Sequence, residues 1–289
     1  MVEIADPTSI RSRSSRLSRV FAKAPVAVKV SVGIIVLYAL AGLFANLIAP
    51  YGESQLVSSE PFSAWSGENW LGTDQLGRDV LSRLIYGARN SIGIAVLTTT
   101  IAFAIGGTLG VIAALFRGWV DQFIARIVDI LMAIPQLIFA LMLLSIFGSS
   151  IQNLVLIIAL LDSTRVFRLA RALAMNIAVT DYIEAAQLRG DRLSWIIFQE
   201  ILPNIRPILL AEFGLRFCFV FLTISSLSFL GLGIQPPTAD WGSMVHENAT
   251  LITYGDITPL IPAAAIALLT VAINFVVDWY LHTASKSHG

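Results

Sequence analysis

Five long stretches without a charged residue constrain the fold of this chain more than any other feature of its sequence. They cover residues 30–52, 90–116, 130–161, 217–239 and 257–277. A helix rises about 1.5 Å per residue and needs roughly 20 apolar residues to cross a hydrocarbon core of about 30 Å. Of the 289 residues, 56% are hydrophobic and 13% are charged, which is more apolar surface than one soluble core can bury. The sequence therefore predicts an integral membrane protein.

The stretch 130–161 is longer than one span needs, and a group of small and polar residues interrupts it. These residues are Gly148, Ser149, Ser150, Gln152 and Asn153. They indicate a polar turn with one span before it, which Pro135 can bend, and another span after it. The span after the turn contains Asp162 and ends in three arginines, which we expect to reach the headgroups. The prediction is an all-α membrane protein with six transmembrane helices.

Lysine and arginine residues are distributed unevenly, and this sets the orientation. Six of them precede the first apolar stretch: Arg11, Arg13, Arg16, Arg19, Lys23 and Lys29. The positive-inside rule therefore places the N-terminus in the cytoplasm. With six spans, the cytoplasmic segments hold fifteen of the 19 basic residues, and the external segments hold only Arg78, Arg83 and Arg89. Arg216, near the inner end of the fifth span, is the remaining one. This asymmetry predicts that both termini are cytoplasmic.

The predicted spans divide the chain into five segments. In order these are a basic cytoplasmic tail (1–28), the first transmembrane helix (29–50), an external segment with an interfacial helix (51–91), a core of five transmembrane helices (92–281) and a cytoplasmic C-terminal tail (282–289). The core carries a cytoplasmic loop at 181–203, between the fourth and fifth spans.

The interfacial helix of the external segment is expected at 79–88. Its apolar side chains fall on one helical face, opposite Asp79 and Arg83. Trp65 and Trp70 precede it, and tryptophan prefers the headgroup layer of a bilayer. We expect this helix mainly to anchor the segment, with contact to a substrate-delivering receptor as the alternative.

The loop 181–203 is predicted to form two short helices. Asp181 can cap the first, with Glu184 in its first turn, and Gly190 can supply the left-handed residue that ends it. One face of this helix carries Tyr182, Ala185, Ala186 and Arg189. Two alanines on that face would let another protein approach the backbone closely. The second helix is expected to end before Pro203 and to pack under the membrane helices through one apolar side. That side comprises Leu193, Ile196, Ile197 and Ile201.

This loop resembles the cytoplasmic signature of ABC importer permeases, which begins with Glu-Ala-Ala, continues to a glycine and closes with Leu-Pro. The matching positions are held by Glu184, Ala185, Ala186, Gly190, Leu202 and Pro203. Glu200 departs from the signature, which has isoleucine or histidine there. The resemblance implies a type I ABC importer permease fold, with the first helix and Arg189 seated in a groove of an ATPase subunit. The alternative is an amphipathic hairpin that lies on the inner leaflet.

Two further segments narrow the resemblance. Residues 70–91 (WLGTDQLGRDVLSRLIYGARNS) and 228–245 (SFLGLGIQPPTADWGSMV) are similar to external segments in the second permease of dipeptide, oligopeptide and nickel importers. This implies a subunit of the bacterial inner membrane that pairs with a homologous permease, two ABC ATPase subunits and an external substrate-binding protein. It also implies peptides as cargo, with nickel or another small solute as the alternative. Peptides are favoured because the sequence has no histidine or cysteine cluster for a metal path.

The sequence lacks the residues with which proteins bind ATP phosphates. Its lysines are Lys23, Lys29 and Lys286, and none follows a glycine-rich loop. The resemblance assigns ATP and magnesium to partner subunits, so we expect this chain to bind no cofactor or metal and to have no catalytic residues. Ion-coupled secondary transport is the runner-up, disfavoured because three of the spans have no ionisable residue in their cores. A net charge of zero gives no reason to expect a nucleic-acid partner.

Four polar residues are placed where they can meet cargo or an external partner: Asp162, Asp240, His246 and Glu247. The Asp162 carboxylate can bind a substrate ammonium, but Arg165 lies three residues further on and can pair with it instead. We favour this structural pairing. If it is correct, Asp162→Asn leaves transport near normal. The other three residues follow the fifth span and can contact a peptide or a binding protein, or form a solvated rim.

Overall fold

The computed structural model of the protein describes residues 24–116 and 118–286. Over these residues the chain is helical, with two isolated β-bridges and no strand. The predicted all-α fold is confirmed for this part of the chain. Most of the basic tail predicted at 1–28 lies outside the described residues.

The α-helices of the described residues are α1 (Val26–Leu43), α2 (Ala45–Ile48), α3 (Val80–Phe116), α4 (Gly118–Ala133), α5 (Gln136–Phe147), α6 (Ile151–Ile177), α7 (Asp181–Leu188), α8 (Leu193–Trp195), α9 (Leu202–Phe229), α10 (Trp241–Asn248) and α11 (Leu260–Lys286). A π-helical turn, Ile196–Ile201, joins α8 to α9, and a 3-10 helix, Ala249–Tyr254, follows α10. The predicted polar turn separates α5 from α6, where Ser150 accepts a hydrogen bond from the Asn153 amide.

Four helical runs among the described residues are long and apolar enough to cross a membrane. They are Val26–Leu43, Val80–Phe116, Leu193–Phe229 and Leu260–Thr283. Helices α4 and α5 add a fifth span if the two together are counted as one. Their axes differ by 89° at the break between Ala133 and Gln136, which contains Pro135. Helix α6 is not in this group, and it carries Asp162 and three arginines. Four or five of the six predicted spans thus coincide with helices that are long and apolar enough to cross a membrane.

Two helices on the N-terminal side of the chain have bounds that differ from the predicted ones. The first span, expected at 29–50, ends at Leu43, and the short α2 follows it. The interfacial helix expected at 79–88 is the beginning of α3 and not a separate element. Asp79 and Arg83, which we placed opposite its apolar face, are both buried. Asp79 accepts a hydrogen bond from the Ser82 amide, so it caps α3.

Three more boundaries differ further along the chain. The second loop helix does not end before Pro203, because α9 continues through that residue. Proline needs no amide hydrogen in the first turn of a helix, and the preceding π-helical turn bonds the Leu202 amide to the Ile197 carbonyl. The fifth span, expected at 217–239, is part of the helical run Leu193–Phe229 and ends at Phe229. The C-terminal tail expected from 282 is helical as far as Lys286.

The tightest packing in the bundle joins α3 to α6, which run parallel to each other. Gly106 and Gly110 of α3 face the backbone of α6. A Cβ atom at Gly110 would lie 2.7 Å from the Phe167 carbonyl oxygen and 2.8 Å from the Arg171 amide nitrogen. Lipid provides no hydrophobic driving force between helices, so close backbone contact through small residues holds them together.

The bundle has two distinct ends. The first end, which we call the cap end, carries the first turns of α3, the last turns of α9 and the whole of α10. Residues 49–79 and α10 together are called the cap. The second end carries α7, packed near Val111 on the last turns of α3; we call it the loop end. Gly42 of α1 meets Arg89 at the cap end, so α1 begins at the loop end. Helix α11 runs back along α9, with Val277 next to Gly214, and also finishes at the loop end.

The α3–α6 contact predicts the effect of one added methyl group. We expect Gly110→Ala to lower stability by about 1–3 kcal/mol, because its Cβ would overlap backbone atoms that cannot move aside. Gly107→Ala is the matched control, since a Cβ there meets no atom within 4 Å. Thermal unfolding of the detergent-solubilised protein measures the difference. Equal melting temperatures for the two variants would contradict the packing described.

Candidate functional site

The loop 181–203 forms a helix whose end is shaped by Gly190. Asp181 is the first residue of α7 and not its cap, because the Thr180 carbonyl accepts the Ile183 amide. Gly190 has a φ of +79°, a left-handed conformation, as predicted. The Asp191 amide donates to the Ala186 carbonyl at 3.1 Å, which closes the helix. The sequence thus predicted the two-turn length and the end of this helix, but placed its start one residue late.

Helix α7 has one buried side and one exposed side. Ile183 and Ala186 are fully buried against Val111 and Ile201. The exposed residues include Tyr182, Glu184, Ala185, Leu188 and Arg189. The predicted shared face is therefore wrong for Ala186, which contacts the bundle and leaves Ala185 as the exposed alanine. Leu188, an apolar residue with 83% of its surface exposed, was missed by the sequence argument.

The second half of the loop connects α7 to the membrane helices. Ile196 and Ile201 are buried as predicted, and Leu202 packs against the same cluster. Pro203 is exposed, and Arg189 forms an exposed ion pair with Asp191 at 2.8 Å. A recess of about 540 Å³ lies against this half and is lined by Gly190, Asp191, Arg192, Ser194, Trp195, Phe198 and Gln199. Trp195 and Phe198 are exposed in it, so this helix does not pack against the bundle on all its apolar sides.

At the cap end, four charged residues form one network. Asp74, Arg78 and Arg83 are buried, and the side chain of Glu247 is only 6% exposed. Arg78 Nε donates to Asp74 Oδ2 at 2.7 Å, and Arg83 Nη1 lies 3.2 Å from the same oxygen. Both arginines also contact Glu247 Oε2 at 3.0 Å. Burial raises the pKa of Glu247, against the opposing effect of Arg83 and Arg78. The network joins residues 49–79 to α10, so Glu247 is engaged inside the subunit.

Asp240 is also enclosed, whereas His246 is accessible. Asp240 caps α10 by accepting from the Ser243 amide at 2.9 Å and also accepts from Ser91 Oγ at 2.7 Å. Burial raises the pKa of Asp240, and these hydrogen bonds oppose the rise. His246 is exposed and stacks edge-on against Phe229. Of the three polar residues predicted after the fifth span, only His246 is exposed in this conformation.

Trp241 locks α10 onto the bundle. It is almost fully buried, and its Nε1 donates to the Leu84 carbonyl at 2.8 Å. Tyr38 and Phe221 pack edge-on against its ring system. A Cβ atom at Gly87 would lie 2.8 Å from Trp241 Nε1, so only glycine leaves room for the indole. The two predicted external segments, 70–91 and 228–245, are therefore in direct contact.

Asp162 is fully buried in the middle of α6. The predicted pair with Arg165 is not formed; the nearest cation is Arg216 of α9, whose Nη1 lies 3.8 Å from Asp162 Oδ1. Neither carboxylate oxygen accepts a hydrogen bond within the described part of the chain. Arg216 is also close to Glu212, with 2.8 Å between Nε and Oε1. The sequence argument counted Arg216 as a charge in the fifth span but gave it no partner, because its partner lies on another helix.

Metal ligands do not gather in the described residues. No group of three histidine, cysteine, aspartate or glutamate side chains lies close enough there to hold an ion. Cys218 is buried in α9 as a free thiol.

The bundle, its cap and the surface helix α7 define a polytopic membrane protein with an exposed helical face at one end. Residues 106–285 match the family described as the binding-protein-dependent transport system inner membrane component. The chain belongs to this family and is an inner-membrane permease subunit of an ABC transport system.

Several relatives cover almost the whole chain. The dipeptide transport system permease protein DppC of Alkalihalophilus pseudofirmus is 34% identical over 249 residues, which are 86% of this chain and 82% of the relative. The glutathione transport system permease protein GsiD of Pectobacterium atrosepticum is 32% identical over 271 residues, covering 93% and 90%. GsiD of Escherichia coli is 32% identical over 276 residues, covering 95% and 91%.

The charge network of the cap predicts that Asp74 holds residues 49–79 to α10. We expect Asp74→Asn to lower the free energy of unfolding by roughly 3–5 kcal/mol. Arg78 and Arg83 would then have Glu247 as their one remaining carboxylate in the network, and burial disfavours the charged form of Glu247. Thermal unfolding and limited proteolysis within 49–79 measure the effect. Asp256→Asn is the matched control, because Asp256 is exposed and its side chain bonds only to Thr258 nearby. Similar losses in both variants would show that the network is not a source of stability.

Proposed function

We propose that this chain is one of two permease subunits of an ABC importer that carries di- or oligopeptides into the cytoplasm. The permease role follows from family membership, and the named relatives, which transport dipeptides or glutathione, support peptides as the cargo. A homologous permease completes the pathway, a binding protein delivers the peptide at the cap end, and two ATPases bind at the loop end. This chain performs no hydrolysis of its own.

We assign six spans to the chain, with both termini and α7 in the cytoplasm. Five of them are the four apolar runs and the bent pair α4–α5. The sixth is α6, because it lies parallel to α3 through the contacts of Gly106 and Gly110. Its arginines are near the loop end, where Arg171 pairs with Asp121 and Arg168 with Asp129. Pairing and proximity to the headgroups make these charges tolerable in a membrane.

The exposed side of α7 is the single observation that carries the coupling role. Glu184, Ala185 and Leu188 face outward, away from the bundle, and are free to enter a groove on an ATPase. On the opposite side, Ile183 and Ala186 are fixed to α3, α6 and the π-helical turn before α9. A force applied to α7 by ATP-driven closure of the ATPases therefore reaches three membrane helices directly. Such a movement would open the pathway toward the cap end, and hydrolysis would reset it.

Docking at α7 predicts the effect of reversing one charge. We expect Glu184→Arg to reduce copurification of the ATPases and ATP-dependent uptake roughly tenfold or more, since a misplaced charge at an interface costs several kcal/mol. The matched control is Glu68→Arg, because Glu68 is also exposed and lies in residues 49–79. Both variants should insert and assemble with the second permease. Normal ATPase binding and uptake by Glu184→Arg would refute docking at this helix.

The end of α7 allows a second test of the same docking. Gly190→Pro should also abolish coupling, because proline is restricted to a φ of about −65° and Gly190 needs a φ of +79°. Gly190→Ala, which meets no atom within 4 Å, should have a smaller effect that reflects only the left-handed backbone. ATP-dependent uptake in proteoliposomes measures both variants. Full activity of Gly190→Pro would mean that the shape of this turn does not matter.

The cargo is tested with the complete importer in proteoliposomes. Peptides of two to six residues are supplied with the binding protein, and uptake is measured with and without ATP. ATP-dependent accumulation of peptides is the expected result. Uptake driven by an ion gradient through this chain alone, or accumulation of a metal but no peptide, would overturn the proposal.

A further inference from the structure

A groove of about 430 Å³ runs between α1 and α3 near the cap end. Its apolar walls include Tyr38, Ala39, Ile92 and Gly93. Grooves of this size hold small ligands in many proteins, with a few polar groups that fix the orientation of the ligand. Neither the exposed side of α7 nor the charge network of the cap includes these residues, so the groove is a separate feature of the molecule.

Two glycines shape the groove in opposite ways. Gly42 brings the helices together, because a Cβ atom there would lie 3.1 Å from both the Cα atom and the amide nitrogen of Arg89. Gly93 lies about one turn further along α3, and a Cβ atom there would meet nothing within 4 Å. The two backbones are therefore in contact at Gly42, and open space begins beside that contact.

Arg89 supplies an exposed positive charge at one end of the groove. Its Nη1 donates to Asn46 Oδ1 at 3.4 Å, which is a long hydrogen bond. Within the described part of the chain, Arg89 pairs with no carboxylate. Glu53 instead accepts from Asn90 Nδ2 at 3.0 Å and from the Ala239 amide at 3.2 Å. A guanidinium has five N–H donors, so Arg89 can bind a further acceptor.

The polarity of the groove follows the depth profile of a bilayer. Arg89 directly precedes the uncharged stretch 90–116, and Asn46 follows the end of α1. Both residues are thus at the level of the lipid headgroups. Tyr38 and Ile92 lie roughly 5 Å deeper along their helices, beside the acyl chains. The occupant of the groove must carry a negative group at headgroup depth and an apolar chain below it.

A phospholipid has this arrangement, since its phosphate lies at the headgroup level and its acyl chains lie directly beneath. Arginine binds phosphate oxygens through parallel N–H donors. A protein partner would have to bring a carboxylate to the same depth and also cover the apolar walls. Helix α1 is at the edge of the subunit, where only 17% of its residues are buried, and Leu43 beside the groove is 76% exposed. Lipid can therefore reach the groove from the side.

We propose that Arg89 and Asn46 bind the phosphate of a phospholipid in the leaflet at the cap end, with one acyl chain in the groove between α1 and α3. The Asn46 amide group donates alongside the guanidinium, because only its oxygen is engaged by Arg89. The lipid fills the space beside Gly93 and extends the contact that α1 makes with α3 at Gly42. The inference requires only that α1 and α3 cross the membrane, and it holds for any cargo.

The test uses photo-crosslinking of lipid in the complete importer, reconstituted into proteoliposomes. One probe is phosphatidylglycerol with a diazirine near the start of one acyl chain. The matched probe is diacylglycerol with the same chains and diazirine but no phosphate. Mass spectrometry maps the labelled residues. We expect phosphatidylglycerol to label residues 38–46 and 89–93 several-fold more than diacylglycerol does. Equal labelling by the two probes would overturn the proposal without the need for any variant.

The charge is tested by Arg89→Gln, which should reduce labelling by phosphatidylglycerol to the level of diacylglycerol. Arg89→Lys should retain part of the labelling, since an ammonium binds phosphate as a point charge. Arg126→Gln is the matched control, because Arg126 is an exposed arginine of α4 outside the groove, and it should be labelled like the wild type. Unchanged labelling of Arg89→Gln would refute the role of the guanidinium.

The acyl-chain space is tested by Gly93→Leu, whose side chain should fill the groove and reduce labelling by phosphatidylglycerol several-fold. Gly33→Leu is the matched control, because Gly33 is also exposed and a Cβ atom there also meets nothing within 4 Å, but it lies outside the groove. Equal labelling of Gly93→Leu and Gly33→Leu would refute the groove as the site.

Coverage of the groove by the second permease is the remaining outcome. In that case the isolated chain would be labelled by phosphatidylglycerol at 38–46 and 89–93, whereas the same residues in the complete importer would not be. This result would overturn the lipid site in the working complex. Labelling in both preparations is the expected result.

Discussion

The contact between α3 and α6 is the interaction on which the rest of the structure depends. Lipid gives helices no hydrophobic reason to associate, so the bundle needs surfaces that fit closely, and the glycines of α3 allow its backbone to touch that of α6. This contact shields one side of α6, the helix with the most charges. Helix α3 also supports both ends of the molecule, because its first turns hold Trp241 and its last turns hold Ile183. The cap and α7 are therefore positioned by a single helix.

The cap explains how arginines can occur on the external side of the membrane, where the positive-inside rule predicts few of them. In the proposed orientation, Arg78 and Arg83 are external, but both are buried and paired with Asp74 and Glu247. They act as structural ions and not as free positive charge. Arginines in a predicted external segment run against the positive-inside rule, which indicated that they have acidic partners. The neighbouring sequence did not identify Glu247 as one of these partners.

Local sequence patterns predicted the local structure well. Apolar length located the main spans, and Gly190 and the polar turn at 148–153 ended helices where expected. The same reasoning could not identify contacts between distant segments. Spacing along one helix suggested Arg165 as the partner of Asp162, whereas Arg216 comes from another helix. Spacing also grouped Ala186 with Ala185, but only the position of α3 decides which alanine is buried. Family resemblance identified the role of the loop, and packing decided which of its residues are free.

The unbroken helical run from Leu193 to Phe229 has a geometric consequence for transport. Its 37 residues extend for about 55 Å, so it reaches from the recess lined by Trp195 and Phe198 to the cap end of the bundle. If it tilts as a rigid rod by about 10° around its middle, each end moves by about 5 Å, close to one helical turn. The two ends move in opposite directions. A small displacement imposed on the loop end therefore widens one side of the molecule while it narrows the other, which is the geometry that alternating access requires.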